Sequence, residues 1–153
     1  MTRYHSTAAG NIPYTPEEEA EADIEDAAKA ANYLSLRKAR RWEDIKAIRD
    51  RKTMQGGYST GGKWYHSDTF SRTQQLGLVM LGASIPEGLQ WKTMDGSFVT
   101  MTQTLAGQIF AAAAAQDTAL FANAESLRAT VNASSNPESV DITTGWPATY
   151  NSI

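Results

Sequence analysis

Residues 56–68 read GGYSTGGKWYHSD, and this stretch decides the fold. Gly61-Gly62 suits a two-residue hairpin turn, because such turns need positive φ at both central positions. The turn sets Tyr58 on one strand across from Trp64 or Tyr65 on the other. The glycines therefore serve a turn and the aromatics a core, and Asp68 caps the helix that follows. Before the stretch the chain is charged and helical, and after it the chain is compact and apolar. The hairpin marks the junction between the two.

Composition bounds the possibilities around that junction. A chain of 153 residues, 41% hydrophobic and 20% charged, fits one compact domain or a smaller domain plus an arm. A net charge of −3 supplies no strong field for nucleic acid or anionic membranes. The absence of cysteine excludes disulfide staples, thiolate metal sites and cysteine nucleophiles. The first residues carry no apolar core of a signal peptide, and the apolar run at 109–115 is too short to span a bilayer. The expectation is a protein with no membrane insertion, one that stays in the cytoplasm where it is made or is packaged from there.

Upstream, residues 1–14 read either as a flexible arm or as a small hairpin pairing residues 3–6 with 11–14 across a Gly10-Asn11 turn. Thr15 is a good N-cap, Pro16 fits the first helical position and Glu18 completes a capping box. A helix over residues 15–52 follows, about 55 Å long at 1.5 Å per residue. Its first turns are acidic and its later turns basic, in the order that suits the helix dipole. Ile24, Ala27 or Ala28, Ala31, Leu34, Trp42, Ile45 and Ile48 form an apolar seam, interrupted at Lys38. A seam needs cover, from the chain's own domain after a break near Leu36 or from a second chain. It is thin and rich in alanine, which favours packing on other proteins over an autonomous coiled coil. The alternative is a pair of ordinary surface helices with solvated charges.

Downstream, Asp68 or Thr69 caps a helix to about Ala83, with Phe70, Leu76, Val79, Met80 and Leu81 as its apolar residues. Residues 89–93 and 98–101 make a second hairpin around Asp95-Gly96, a strong two-residue turn signal. Leu89, Trp91 and Thr93 share one face of it. Thr102 caps a last helix from Gln103 to about Asn132. Its stripe is Leu105, Ile109, Ala113, Leu120, Ala124, Leu127 and Val131, with Phe110 and Phe121 reinforcing it. A loop and a tail anchored by Trp146-Pro147 follow. The fold expected is α+β: a long N-terminal helix followed by β-hairpin–helix–β-hairpin–long helix, both ribbons facing the last helix. The segments are 1–14 (arm or hairpin), 15–52 (docking helix), 53–147 (compact α+β domain) and 148–153 (tail).

No constellation for chemistry emerges. His66, Ser67 and Asp68 are neighbours on a strand end, so successive side chains point apart and cannot make a triad. His5 has no partner in sequence. Two histidines and no cysteine make no transition-metal site. The two glycine pairs lack the Lys-Ser/Thr of a phosphate loop. The basic stretch 37–52 contains Trp42 but is diluted by Glu43, Asp44 and Asp50, which argues against nucleic acid. The expectation is a protein that is not an enzyme, with no catalytic residue, cofactor or metal. Ile24, Ala31, Leu34, Trp42, Ile45 and Ile48 are the candidate protein-interaction residues. Thr15, Gly61, Gly62, Asp68, Asp95 and Gly96 are the structural turns and caps.

Residues from Ile48 to about Trp146 resemble a small domain family of unknown function found in tailed bacteriophages, beside or within tail-fibre and fibre-assembly proteins. The likeness rests on Arg49-Asp50-Arg51-Lys52, the Gly57-Tyr58 strand and the aromatic strand ending in Asp68. It continues through Ser71-Arg72, Trp91, Asp95-Gly96, residues 98–102, Leu120-Phe121, Leu127 and Trp146-Pro147. The N-terminal opening, a short polar strand and then Thr-Pro-Glu-Glu-Glu-Ala-Glu, is similar to the start of many small phage tail proteins. The resemblance implies a virion structural protein of the viral tail or baseplate that docks tail fibres. Its partners would be other tail or baseplate proteins and the tail fibre, in an oligomeric assembly. The alternative it implies is a tail-fibre assembly chaperone. A small enzyme or lysis factor is the third reading, disfavoured by the missing acid–base cluster.

Overall fold

The computed structural model describes residues 2–150; part of the expected 148–153 tail lies outside the described residues. The fold is α+β and follows the expected order. A hairpin of β1 (Tyr4–Thr7) and β2 (Gly10–Pro13) precedes the long helix α1 (Pro16–Gln55). Then come β3 (Tyr58–Thr60), β4 (Lys63–Tyr65), α2 (Thr69–Leu81), β5 (Gln90–Lys92), β6 (Phe98–Thr100) and α3 (Gln103–Ala133). The chain divides into two compact units between Arg40 and Arg41, twelve positions before the expected boundary at 52 and 53. The helix is unbroken at Leu36, as the single long helix requires and against the alternative of a break there. No glycine or proline occurs between Pro16 and Gly56, so nothing in the backbone interrupts the helix.

In the first unit, β1 and β2 pair antiparallel with Tyr4 opposite Pro13 and Thr7 opposite Gly10. The turn therefore sits at Ala8-Ala9, ahead of the Gly10-Asn11 expected for it. Thr7 explains the shift: its Oγ1 donates to the Gly10 carbonyl at 2.6 Å and accepts from Ala9 N at 3.3 Å. An isolated two-stranded ribbon is marginal in water. This one is held by ion pairs to residues 18–26 of α1, described below.

The second unit is built on α3 as a spine with two apolar clusters along it. Towards its N-terminal end, Ala106, Ile109 and Ala113 pack with Tyr58, Tyr65, Leu78 and Met101, and Leu89, Trp91 and Val99 complete that cluster. Towards its C-terminal end, Ala124 and Val131 pack with Ile45 and Ile142, with Trp42, Ile48, Leu127, Val140 and Trp146 around them. Residues 41–55 of α1 are thus part of the compact unit. Residues 148–150 of the expected tail belong to it as well. Arg41 donates to the Val140 carbonyl at 2.7 Å and Tyr150 N to the Gly56 carbonyl at 2.8 Å. Gln116 donates to the Ala148 carbonyl at 2.8 Å, and Trp146 Nε1 to the Ile142 carbonyl at 2.9 Å. Phe110 and Phe121 do not reinforce the α3 stripe. Each is turned about 100° from the buried residue before it, and they stay 48% and 49% exposed.

The two hairpins of this unit differ in their turns. Tyr58 lies opposite Tyr65 and Thr60 opposite Lys63, so Gly61 (φ +59°) and Gly62 (φ +74°) form a two-residue type I′ turn. In the second hairpin Gly96 N donates to the Thr93 carbonyl and Thr93 N to the Ser97 carbonyl. The loop is therefore three residues, Met94 to Gly96, rather than the two-residue Asp95-Gly96 turn expected. Asp95 selects it: its Oδ1 accepts from Ser97 N at 2.9 Å, an Asx arrangement that needs the longer loop.

Candidate functional site

The residues expected to mediate docking separate into two groups with opposite fates. Ile45 is fully buried, and Trp42 and Ile48 pack against the cluster around it. Ile45 is core of the second unit, and Trp42 and Ile48 turn much of their surface to it. Ile24 is 71% exposed, Ala27, Ala28 and Ala31 are exposed, and Leu34 is half-buried. No residue of α1 before Ile45 is fully buried. The open seam is therefore confined to residues 24–34.

The ribbon of the first unit leaves that seam uncovered. Arg3 spreads its guanidinium over Glu19 (2.7 Å), Asp23 (2.8 Å) and Asp26 (2.7 Å), and its backbone N–H donates to Glu19 Oε1 at 2.7 Å. His5 stacks on Tyr14 with ring centres 4.4 Å apart and meets Glu18 at 3.0 Å. Ala22, on the same side of the helix as Glu18 and Asp26, is half-buried. Helical geometry puts Ile24, Ala28 and Ala31 on roughly the opposite side. Thr15 caps the helix in a reciprocal box: Glu18 N donates to Thr15 Oγ1 at 3.2 Å, and Thr15 N donates to the Glu18 carboxylate at 2.8 Å. That backbone bond, and then His5, hold the Glu18 carboxyl below its usual range. Arg3 does the same for Glu19, first through its backbone N–H and then its side chain, and the three carboxylates hold Arg3 firmly protonated.

The second unit has an open face of its own on α2. Only Gln75 and Leu78 of this helix are buried. Phe70 (72% exposed) and Met80 (80%) stand in solvent with Leu76 and Leu81, and Phe110 of α3 adds to them. Between α2 and α3 lies a cleft of about 320 Å³ lined by Tyr58, Thr69, Arg72, Thr73, Gln75, Leu76, Phe110 and Ala113. Its polar groups are already committed. Tyr58 Oη bonds Gln75, and Gln75 Nε2 donates to the His66 carbonyl at 3.0 Å. Arg72 makes a bidentate pair with Asp117 (2.6 and 2.9 Å), donates to the Ser67 carbonyl at 2.7 Å and lies 5.3 Å from the Tyr58 ring centre. Asp117 holds the Arg72 guanidinium above its usual pKa, and burial pushes the Tyr58 phenol up. The cleft thus has an apolar rim and a floor whose hydrogen bonds are satisfied internally.

The remaining turn and cap residues have structural partners. Asp68 accepts from Ser71 N at 3.0 Å and from Ser71 Oγ at 2.6 Å, which starts α2. Ser67 Oγ accepts from Gly57 N at 2.9 Å, so His66, Ser67 and Asp68 bond in three separate places. Asp95 joins the two hairpins. Lys63 Nζ on β4 donates to its carboxylate at 2.7 Å and to Ser97 Oγ at 2.8 Å, and Met94 N donates to the Trp64 carbonyl at 2.9 Å. Lys63, then Thr93 and Ser97, hold the Asp95 carboxyl far below the usual carboxylate range.

Sequence reasoning did not find the Arg72–Asp117 staple, though a signal was present. Arg72 is the one charged residue of α2, and Asp117 the one charge in α3 before Glu125. A lone cation and a lone anion on two apolar helices are each costly to bury and gain by meeting.

Among the described residues there is no cluster of three His, Asp or Glu able to hold a metal ion, and no helix long and apolar enough to cross a membrane. The model of the family described as "Domain of unknown function (DUF4376)" matches residues 36–144, and the chain belongs to that family. No curated protein and no solved structure gave a significant match.

Proposed function

We propose that this member of the family of unknown function is a non-enzymatic structural protein of a bacteriophage tail or baseplate, where it docks tail fibres. The observation that carries the reading is the open seam of the first unit. A helix with Ile24 mostly in water and an alanine face beside it is a surface that gains by being covered. The compact second unit contributes a rigid body with a further apolar face at Phe70, Leu76 and Met80. The resemblance of residues 48–146 to a phage domain family supports the phage setting. On that reading the protein is made in the host cytoplasm, is packaged into the virion and is oligomeric with its neighbours.

Quantitative mass spectrometry of purified particles tests this directly. A structural component appears at stoichiometric copy number. A variant with Ile24→Glu and Ala31→Glu, which leaves the second unit untouched, should be made normally and incorporated poorly. If the protein is absent from particles yet the fibre fails to mature without it, the assembly-chaperone reading replaces this one. Absence from particles together with normal fibres would overturn both.

A further inference from the structure

The seam of the first unit carries a second piece of information, in the way charge is laid out along it. Residues 17, 18, 19 and 21 are glutamates, and Arg37, Lys38 and Arg40 lie at the other end of the same unit. Lys29 stands midway, on the side away from the seam. The apolar positions are symmetric about it: Ile24 and Leu34 are equally far from Lys29, as are Ala27 and Ala31. We propose that residues 16–40 pair antiparallel with the same residues of a second copy of this chain, about a two-fold axis level with Lys29.

In that register Ile24 of one copy packs on Leu34 of the other, and Ala27 on Ala31. Alanine at the centre lets the helix axes approach to about 8 Å, the close end of the usual range. Arg37 falls level with Glu21 of the second copy, and Lys38 falls between Glu17 and Glu21. Lys38 is the residue that interrupts the apolar line. It lies opposite Ala20, with Glu17 and Glu21 of the second copy beside it. A parallel pairing reverses this, setting glutamates on glutamates and bases on bases, which costs stability. The ribbon leaves most of the seam clear: His5 and Arg3 bond Glu18, Glu19 and Asp26 on the far side of the helix, and Arg3 reaches Asp23 at the seam's edge. Charge complementarity thus selects both the partner and its direction. The inference rests on the reading of this seam as a docking face and names what docks there.

The chain has no cysteine, so single-cysteine variants of the full-length protein report the register without interference. Ala28→Cys lies near the axis and should form a disulfide-linked dimer under mild oxidation. Ile24→Cys should not cross-link to itself, because its two copies lie about 15 Å apart along the axis at 1.5 Å per residue, beyond disulfide reach. A mixture of Ala27→Cys and Ala31→Cys proteins should give the mixed dimer. Sedimentation of the native chain should show a monomer–dimer equilibrium that weakens as salt is raised. Lys38→Glu or Glu21→Lys alone should weaken it roughly tenfold, since each contact occurs twice in the dimer, and E21K/K38E together should restore it. Self-cross-linking of Ile24→Cys in place of Ala28→Cys would overturn the antiparallel register. A protein that stays monomeric at high concentration, with neither variant cross-linking, would overturn the dimer. These readouts use purified protein, so their failure is distinguishable from the protein's absence from phage particles.

Discussion

Ile24 and Ile45 sit on one unbroken helix, and their exposures are 71% and 0%. Helix propensity, capping and seam spacing do not separate them. The difference lies in what the rest of the chain brings to each stretch. Residues 41–55 receive α3 and the returning segment that carries Val140, Ile142 and Trp146. Residues 16–40 receive, among the described elements, a two-stranded ribbon, and it binds their acidic side through Arg3 and His5. An amphipathic helix therefore states that a face needs cover, without stating whether the cover is internal.

Matched substitutions give the widest separation between the two stretches. Ile45→Ala removes a fully buried side chain next to Ala124 and Val131, and should cost roughly 3 kcal/mol of unfolding free energy. Ile24→Ala should change the same quantity by less than about 0.5 kcal/mol. Denaturant unfolding of both variants measures the contrast, and equal losses would break it. The boundary also corrects a natural truncation. Removing residues 1–40 spares the core, whereas removing residues 1–47 takes Trp42 and Ile45 with it.

The Arg72–Asp117 pair gives an intermediate effect confined to the second unit. Arg72 ties the end of β4 and the base of α2 to α3. Arg72→Ala strands the Asp117 carboxylate in a half-buried site and should cost about 2 kcal/mol. Arg72→Lys should recover only part of this, because an ammonium cannot reproduce the bidentate fork. Full recovery by lysine would show that charge alone holds the helices. One step lower, Asp68→Ala removes the α2 cap and should cost about 1 kcal/mol, with Asp68→Asn close to neutral.

These sites also show which parts of the molecule a sequence displays. Thr15 with Glu18, Gly61-Gly62, Asp68 and Thr102 are short-range devices, whose partners lie within four residues, and each is readable from its neighbours alone. The unit boundary depends on pairings such as Arg41 with Val140 and Gly56 with Tyr150, which no local pattern encodes. The Asp95 loop lies between these cases. Asp-Gly signals a turn, but its length is chosen by the carboxylate bonding Ser97 and Lys63, the latter from another hairpin. The exposed face of α2 was hidden for a different reason. Phe70, Leu76 and Met80 look like core residues, and only the small buried footprint of that helix reveals that they face outwards.

Acid gives the finest test of the comparison, because both regions hold carboxylates below their ordinary pKa but to different degrees. For such a group the stabilisation is complete above the unfolded pKa, near 4, and is lost as pH falls through the lower folded value. Glu18 and Glu19 in the first unit are lowered by Thr15, His5 and Arg3, while Asp95 in the second is held much further down by Lys63, Thr93 and Ser97. Acidification should therefore release the ribbon from α1 first and the junction between the two hairpins last. In an NMR titration downward from pH 6, the amide signals of Arg3 and Thr15, which donate to these glutamates, should move before that of Ser97, which donates to Asp95. The reverse order would mean that the ribbon is held by something other than its glutamates. The cover of residues 16–40 would then resemble that of residues 41–55 more closely than their exposures suggest.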